Sequence, residues 1–197
     1  MEIRVGSLIG GAADVVGTTV VIDVFRAFTT AAVALSRGAR RILMVGTLEK
    51  AWALRSSGAA DCCIGERGSV KPPGFDFGNS PAELAGADVV GKTLVQTTSN
   101  GTAGIIAARG ANRIYAGAFV TADATARAIL RHKPAVVTLV AVGRSNGTVR
   151  ADEDELCALY LRARLEGRQP DVARSERSSQ LCHRHLTPNW SRQEPTT

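Results

Sequence analysis

Short apolar runs alternate with stretches of helix formers along most of the chain. Residues 2–9 read as an edge strand ended by Gly10 and Gly11. Residues 18–23 are a continuous β-branched run closed by Asp23, the pattern of a strand buried on both faces. Residues 27–37 are helix formers and small residues, and Gly38 supplies the stop. A strand at 41–45, a helix at 47–56 and a strand at 61–64 follow. Ser80-Pro81-Ala82-Glu83 has the spacing of a capping box with proline at the first helical position, so a short helix is expected there. Strands at 92–97, 113–116 and 135–142 then alternate with helices at 102–108, 121–131 and 151–165.

Strands alternating with helices predict an α/β fold: three layers, α/β/α, around a largely parallel or mixed central sheet. Ligands of such sheets bind beyond the carboxyl ends of the strands. Three polar clusters fall at predicted strand ends: Asp23 with Arg26, Glu66 with Arg67, and Thr97 to Thr102. Their convergence is the main reason to expect an active site. Residues 1–171 read as one domain, and residues 172–197 as a polar tail without period, disordered or only loosely docked.

Composition narrows the class. The net charge is +6 over 197 residues, which suits a polyanionic small substrate as well as nucleic acid. No dense Lys/Arg block with interleaved aromatics occurs, so nucleic acid ranks low. The apolar runs are far shorter than a membrane span, and the N-terminus lacks the pattern of a secretory signal. Cys62, Cys63, Cys157 and Cys182 have no metal-ligand spacing and read as reduced thiols of a cytoplasmic protein, with Cys62 and Cys63 on opposite faces of a strand. His132, His183 and His185 lie at a helix end or in the tail, which leaves no Ser-His-Asp pattern. The Cys182-His183-Arg184-His185 tract reads as incidental. Chemistry without histidine points to carboxylates, a metal ion and cationic charge stabilisation.

Residues 65–81 are too rich in glycine and proline for a helix or a central strand, and long irregular loops are usually functional. The loop carries Glu66 and Asp76, Arg67 and Lys71, and flanks Asp76 with Phe75 and Phe77, whose burial would tie it down. It reads as an anion site beside a divalent metal. Asp23 can hold Mg²⁺ or act on a bound group, and Arg26 can grip a phosphate or sulfonate with its planar fork. A haloacid-dehalogenase mechanism is disfavoured, because Phe25 stands where the second Asp is needed. Thr98, Ser99, Asn100, Gly101 and Thr102 form a strand-to-helix junction suited to an oxyanion, or simply to capping. It is not a P-loop, since the Lys-Ser/Thr ending is missing. Asp152 to Glu155 open the last helix as a solvated acidic turn, and Glu153 or Asp154 could also reach a metal.

Assembled, these residues resemble the 2-phosphosulfolactate phosphatase (ComB) family. The likeness is carried by Val20 to Thr30, by Gly65-Glu66-Arg67-Gly68, by Pro73-Gly74-Phe75-Asp76-Phe77-Gly78-Asn79-Ser80-Pro81, by Thr97 to Thr102, and by Glu153-Asp154. It departs from the family pattern at Phe25, Phe28 and Ser99, and in the tail. The resemblance implies a Mg²⁺-dependent phosphatase with a three-layer α/β fold. It would convert 2-phospho-3-sulfolactate to 3-sulfolactate and phosphate, a step of coenzyme M biosynthesis. On this reading Asp23, Arg26, Glu66, Arg67 and Asp76 are catalytic. Lys71, Thr98, Ser99, Asn100, Gly101 and Thr102 bind substrate, and Asp23, Glu66, Asp76, Glu153 and Asp154 are the candidate metal ligands. Direct attack by water and attack by Asp23 are both consistent with these residues. The alternative is a non-catalytic phosphate- or sulfonate-binding module of the same descent. A nucleotide-binding protein is weakest, because no glycine-rich phosphate loop follows a strand. The partner is a small anionic molecule, and a homodimer would be ordinary.

Overall fold

The computed structural model describes residues 1–170, so the expected tail and its Cys-His tract lie outside the described residues. The strands are β1 (Glu2–Ser7), β2 (Thr18–Ile22), β3 (Arg41–Met44), β4 (Cys62–Gly65), β5 (Thr93–Thr97), β6 (Arg113–Gly117) and β7 (Val136–Ala141). The helices are α1 (Ala27–Ser36), α2 (Leu48–Ser56), α3 (Pro81–Ala85), α4 (Gly101–Ala107), α5 (Ala122–His132) and α6 (Asp152–Leu165). Hydrophobic patterning locates strands but not their partners. The strands divide into two sheets, ordered β1-β7-β2-β6 and β3-β5-β4. Every pairing is parallel.

Burial explains the layering. All five residues of β2 are buried, as a continuous β-branched run demands. One face of the larger sheet presents Val20, Ile22, Val137 and Leu139 to Ile129 of α5 and to Cys157 and Leu161 of α6. The other face presents Val21 and Val140 to Ala27 and Phe28 of α1. In the smaller sheet Cys62, Ile64 and Leu94 pack with Ala34 of α1 and Leu84 of α3. Cys63 and Val95 pack on the opposite face with Ala51 of α2 and with Phe75. Cys62 and Cys63 therefore face opposite ways, both buried and free. Helix α1 contributes to the cores of both sheets, and the Gln96 amide of β5 donates to Ala27 O at 2.8 Å.

Local signals act largely as their chemistry dictates. The Thr47 hydroxyl accepts from Lys50 N–H at 3.3 Å to start α2. The Ser80 hydroxyl accepts from Glu83 N–H at 3.4 Å to start α3, with Pro81 in the first turn. The return half of the expected capping box is displaced: Glu83 Oε2 accepts from Gly78 N–H at 2.8 Å, and so clamps the preceding loop. Phe77 pairs with Ile64 beside β4, and Phe75 is buried edge-on against Trp52 with ring centroids 6.3 Å apart. The two phenylalanines tie the 65–81 loop down as their burial requires. Among the described residues no helix is long and apolar enough to cross a membrane.

Candidate active site

The carboxyl ends of β2, β4, β5 and β7 open on one cavity of about 380 Å³. Asp23, Phe25 and Arg26 enter it from the β2–α1 turn, and Glu66, Ser69 and Asn79 from the loop after β4. Ser99 and Asn100 come from the β5–α4 turn, and Arg144, Ser145 and Asn146 from the turn after β7. Residues of both sheets thus share a single site.

Asp23 is only 5% exposed. Its Oδ1 accepts from Ala27 N–H at 3.0 Å, which fixes the carboxylate against the start of α1. Burial pushes its pKa up to about 6, with the negative charge of Glu66 adding to the rise and the Ala27 N–H opposing it. A methyl group on Gly101 would lie 2.6 Å from Ala27 Cβ and 2.8 Å from Asp23 Oδ2. Glycine at this position is what lets α4 come up against the carboxylate.

Glu66 is held by three hydrogen bonds. Ser99 N–H donates to Oε1 at 2.7 Å, Ser69 N–H to Oε2 at 2.8 Å, and the Ser99 hydroxyl to Oε2 at 3.1 Å. Gly65 lets the chain make this approach: at φ 146°, any Cβ would fall 1.9 Å from Thr97 O. Asn79 lines the cavity at 9% exposure, and its Oδ1 has no hydrogen-bond partner among the described residues. Asn100 Oδ1 accepts from Gly147 N–H at 2.9 Å, anchoring the turn after β7.

Other residues expected at the site are directed elsewhere. Arg67 folds back and donates to Glu66 O (2.8 Å), Gly46 O (3.1 Å) and Thr97 Oγ1 (2.6 Å), bracing the walls rather than lining the cavity. Asp76 Oδ2 accepts from Cys63 N–H at 2.7 Å and lies 3.6 Å from Arg55, at the edge of the smaller sheet. Lys71 is exposed and outside the lining. Thr98 and Thr102 cap one another: Thr98 N–H donates to Thr102 Oγ1 at 2.8 Å, and Thr102 N–H to Thr98 Oγ1 at 3.0 Å. Of the junction only Ser99 and Asn100 line the cavity.

Asp154 stands behind the wall at 2% exposure. Its Oδ1 accepts from Val24 N–H at 2.8 Å and its Oδ2 from Gly143 N–H at 3.1 Å. It thereby fastens α6 to the turns after β2 and β7. Burial, and then the charge of Asp23, push its pKa up to about 8. Glu153, half-buried beside it, raises the pKa values of both aspartates but does not line the cavity. Among the described residues no three His, Cys, Asp or Glu side chains gather to hold a metal ion.

Arg144, Ser145, Asn146 and Asn79 escape the sequence reading. The signal for the first three was present: Gly143-Arg144-Ser145-Asn146-Gly147 is a turn-forming run directly after a strand, the same position that flags Asp23 and Glu66.

A family model described as 2-phosphosulpholactate phosphatase matches residues 8–187. Proteins named probable 2-phosphosulfolactate phosphatase are similar to this chain. That of Deinococcus radiodurans is 42% identical over 134 residues, 68% of this chain and 55% of its own length. That of Thermoplasma acidophilum is 36% identical over 168 residues, 85% of this chain and 74% of its own. That of Bacillus subtilis is 36% identical over 150 residues, 75% of this chain and 64% of its own. The chain thus spans between about half and three quarters of the length of these relatives.

Proposed function

The chain belongs to the 2-phosphosulpholactate phosphatase family, and from that premise we propose that it is a Mg²⁺-assisted phosphatase. Its substrate on this reading is 2-phospho-3-sulfolactate or a related phosphorylated small acid, and its products are the hydroxy acid and phosphate. A cytoplasmic setting and a place in coenzyme M synthesis belong to the same reading. The observation that carries it is the meeting of Asp23, Arg26, Glu66 and Arg144 at one cavity, although they come from three separate strand-end loops of two sheets.

Mg²⁺ is commonly held by one or two carboxylates, with water and substrate phosphate completing the shell. Asp23 and Glu66 supply two carboxylates, and Asn79 adds a neutral oxygen without a partner. This oxygen-only set fits the ion, and an ion shared with substrate does not need three protein carboxylates. When bound, it would neutralise charge developing on the phosphoryl oxygens.

The chain's own residues do the rest. Arg26 lines the cavity without an ion pair among the described residues, so its guanidinium is available to fork onto phosphoryl oxygens. Glu66 is immobilised by its three donors, which keeps the charge in register with Asp23. With no cation bound, burial holds the Asp23 carboxyl at about 6, and a cation beside it would favour the ionised form, the one that can accept a proton. In the hydrolysis the water oxygen bonds to phosphorus, the P–O ester bond breaks, and the leaving oxygen takes a proton from solvent, to which Asp23 afterwards returns the one it accepts. Asp23 accepts the proton that water gives up. Phosphate release should require Mg²⁺ and fall by about 10²-fold or more in Glu66→Gln. Full activity in EDTA would remove the ion from the scheme. A phosphate-induced rise in melting temperature with no turnover of any phosphate ester would favour the binding module.

A further inference from the structure

We propose that the chain carries a second ligand site, outside the cavity described above. It is a groove along the exposed side of α4 that takes a small organic anion with an apolar body and acts on the cavity as an effector site. The site itself is read without turnover, so it stands or falls apart from the phosphatase reading.

The groove encloses about 680 Å³, within the range of small-ligand pockets. One wall is the β3–α2 turn. Gly46 and Thr47 follow β3, the one strand of the smaller sheet whose carboxyl end the first cavity leaves unused. The floor is α4. Gly104 buries one side of that helix, since a Cβ there would fall 2.6 Å from Val142 Cγ1 and 2.8 Å from Val21 Cγ1. Ala103, Ile106 and Ala107, three and four residues apart, share another side, which stays partly exposed and lines the groove. Small residues make the hollow: at Gly46 even a methyl group would touch Ile106 Cγ1, at 3.5 Å.

Charge selects the occupant. Lys50 of α2 and Arg109 beyond α4 line the groove, and no acidic side chain does. Among the described residues neither cation makes an ion pair. An apolar floor alone would accept any apolar molecule. Two unspent cations beside it favour one that carries a negative head group.

The groove shares its walls with the cavity. The start of α4 brings Asn100 to the cavity, and its later turns form the groove. Arg67 donates to Gly46 O at 3.1 Å and to Glu66 O at 2.8 Å, so one guanidinium joins a groove wall to the loop that holds Glu66. A ligand that moves Gly46 or α4 thus acts on the cavity, and by linkage an anion in the cavity acts on the groove.

Anilinonaphthalene sulfonate has the chemistry described, a sulfonate on an apolar body, and its fluorescence reports binding. Wild type should bind it saturably, and the double variant Lys50→Gln with Arg109→Gln should bind it about 10-fold more weakly or worse. Both side chains are exposed, so the melting temperature should not change. Ile106→Glu, which puts a negative charge on the floor, should weaken the dye by a similar factor. Equal binding to wild type and variants, or none to wild type, would overturn the site. A second copy seated in the groove would show as association in sedimentation velocity that Ile106→Glu abolishes, and would also overturn it. The effector role is read by calorimetry with inorganic phosphate, with and without the dye. A change in phosphate affinity in wild type that is absent from the double variant upholds it. No change, or the same change in both, overturns it. Wild type that binds no phosphate would sink the phosphatase reading and the effector role together, while the dye titration still decides the site.

Discussion

Gly101→Ala is the most direct probe of how the cavity is assembled. The new methyl carbon would stand 2.6 Å from Ala27 Cβ and 2.8 Å from Asp23 Oδ2. Ordinary carbon–carbon contact is about 3.5–4.0 Å, so α4 and the β2–α1 turn must separate by roughly 1 Å. Overpacking of this kind costs about 1–3 kcal/mol. In a domain of this size that lowers Tm by about 2–12 °C. The same displacement moves Asp23, and a shift of about 1 Å at a reacting group costs about 10²-fold in rate. Urea denaturation and phosphate release measure the two effects. Gly10→Ala is the control, because its added carbon meets nothing within 4 Å. Ala27→Gly in the Gly101→Ala background removes the 2.6 Å clash but leaves the contact with Asp23. Stability should partly return while activity stays low. Wild-type stability and activity in Gly101→Ala, or no stability regained in the double variant, would refute the reasoning.

Asp76→Ala should cost about 1–3 kcal/mol, because it strands the Cys63 N–H; a smaller loss of kcat/KM than in Glu66→Gln would show Asp76 to be a tie rather than a reacting group. Stability should also depend on pH in a definite direction. Asp23 and Asp154 have folded pKa values of about 6 and about 8, against an ordinary 3.8, so the folded state holds protons that the unfolded state has released. Stability is therefore unpenalised below that ordinary value, falls as pH rises toward 8, and levels off above it. Urea midpoints in metal-free buffer should show the fall, and Asp154→Asn should flatten it between pH 6 and 8 by roughly 2–3 kcal/mol; a rise across that window in wild type would contradict the assignment. Arg67→Ala should lower the melting temperature by removing the brace among Glu66, Gly46 and Thr97, an effect that calorimetric melting would detect.

Legibility in the sequence followed the range of the forces involved. Strand ends are local, so Asp23, Glu66, Ser99 and Asn100 could be found from apolar runs followed by polar residues. The direction of a long side chain is not local. Arg67 adjoins Glu66 in sequence but turns toward Gly46 and Thr97, and Asp76 spends its carboxylate on a backbone N–H at a sheet edge. The division of the strands into two sheets depends on pairings between distant segments, on which hydrophobic period is silent. Arg144 was readable by the rule that found the others, since its turn also follows a predicted strand end. Asn79 lies in the run that carries the family likeness, but its place in the cavity shows only in the folded chain, as an oxygen without a partner among the described residues.

β7 lies between β1 and β2, and this has a consequence for biosynthesis. When the ribosome has made β1 and β2, neither yet has the neighbour they will share, and β1 has no other. The larger sheet closes only when a strand made more than a hundred residues after β2 slides into the gap. That strand brings the Arg144 turn with it, and α6 then latches the turn through Asp154. A chain that stops before β7 thus lacks both the strand shared by β1 and β2 and the Arg144 wall of the cavity.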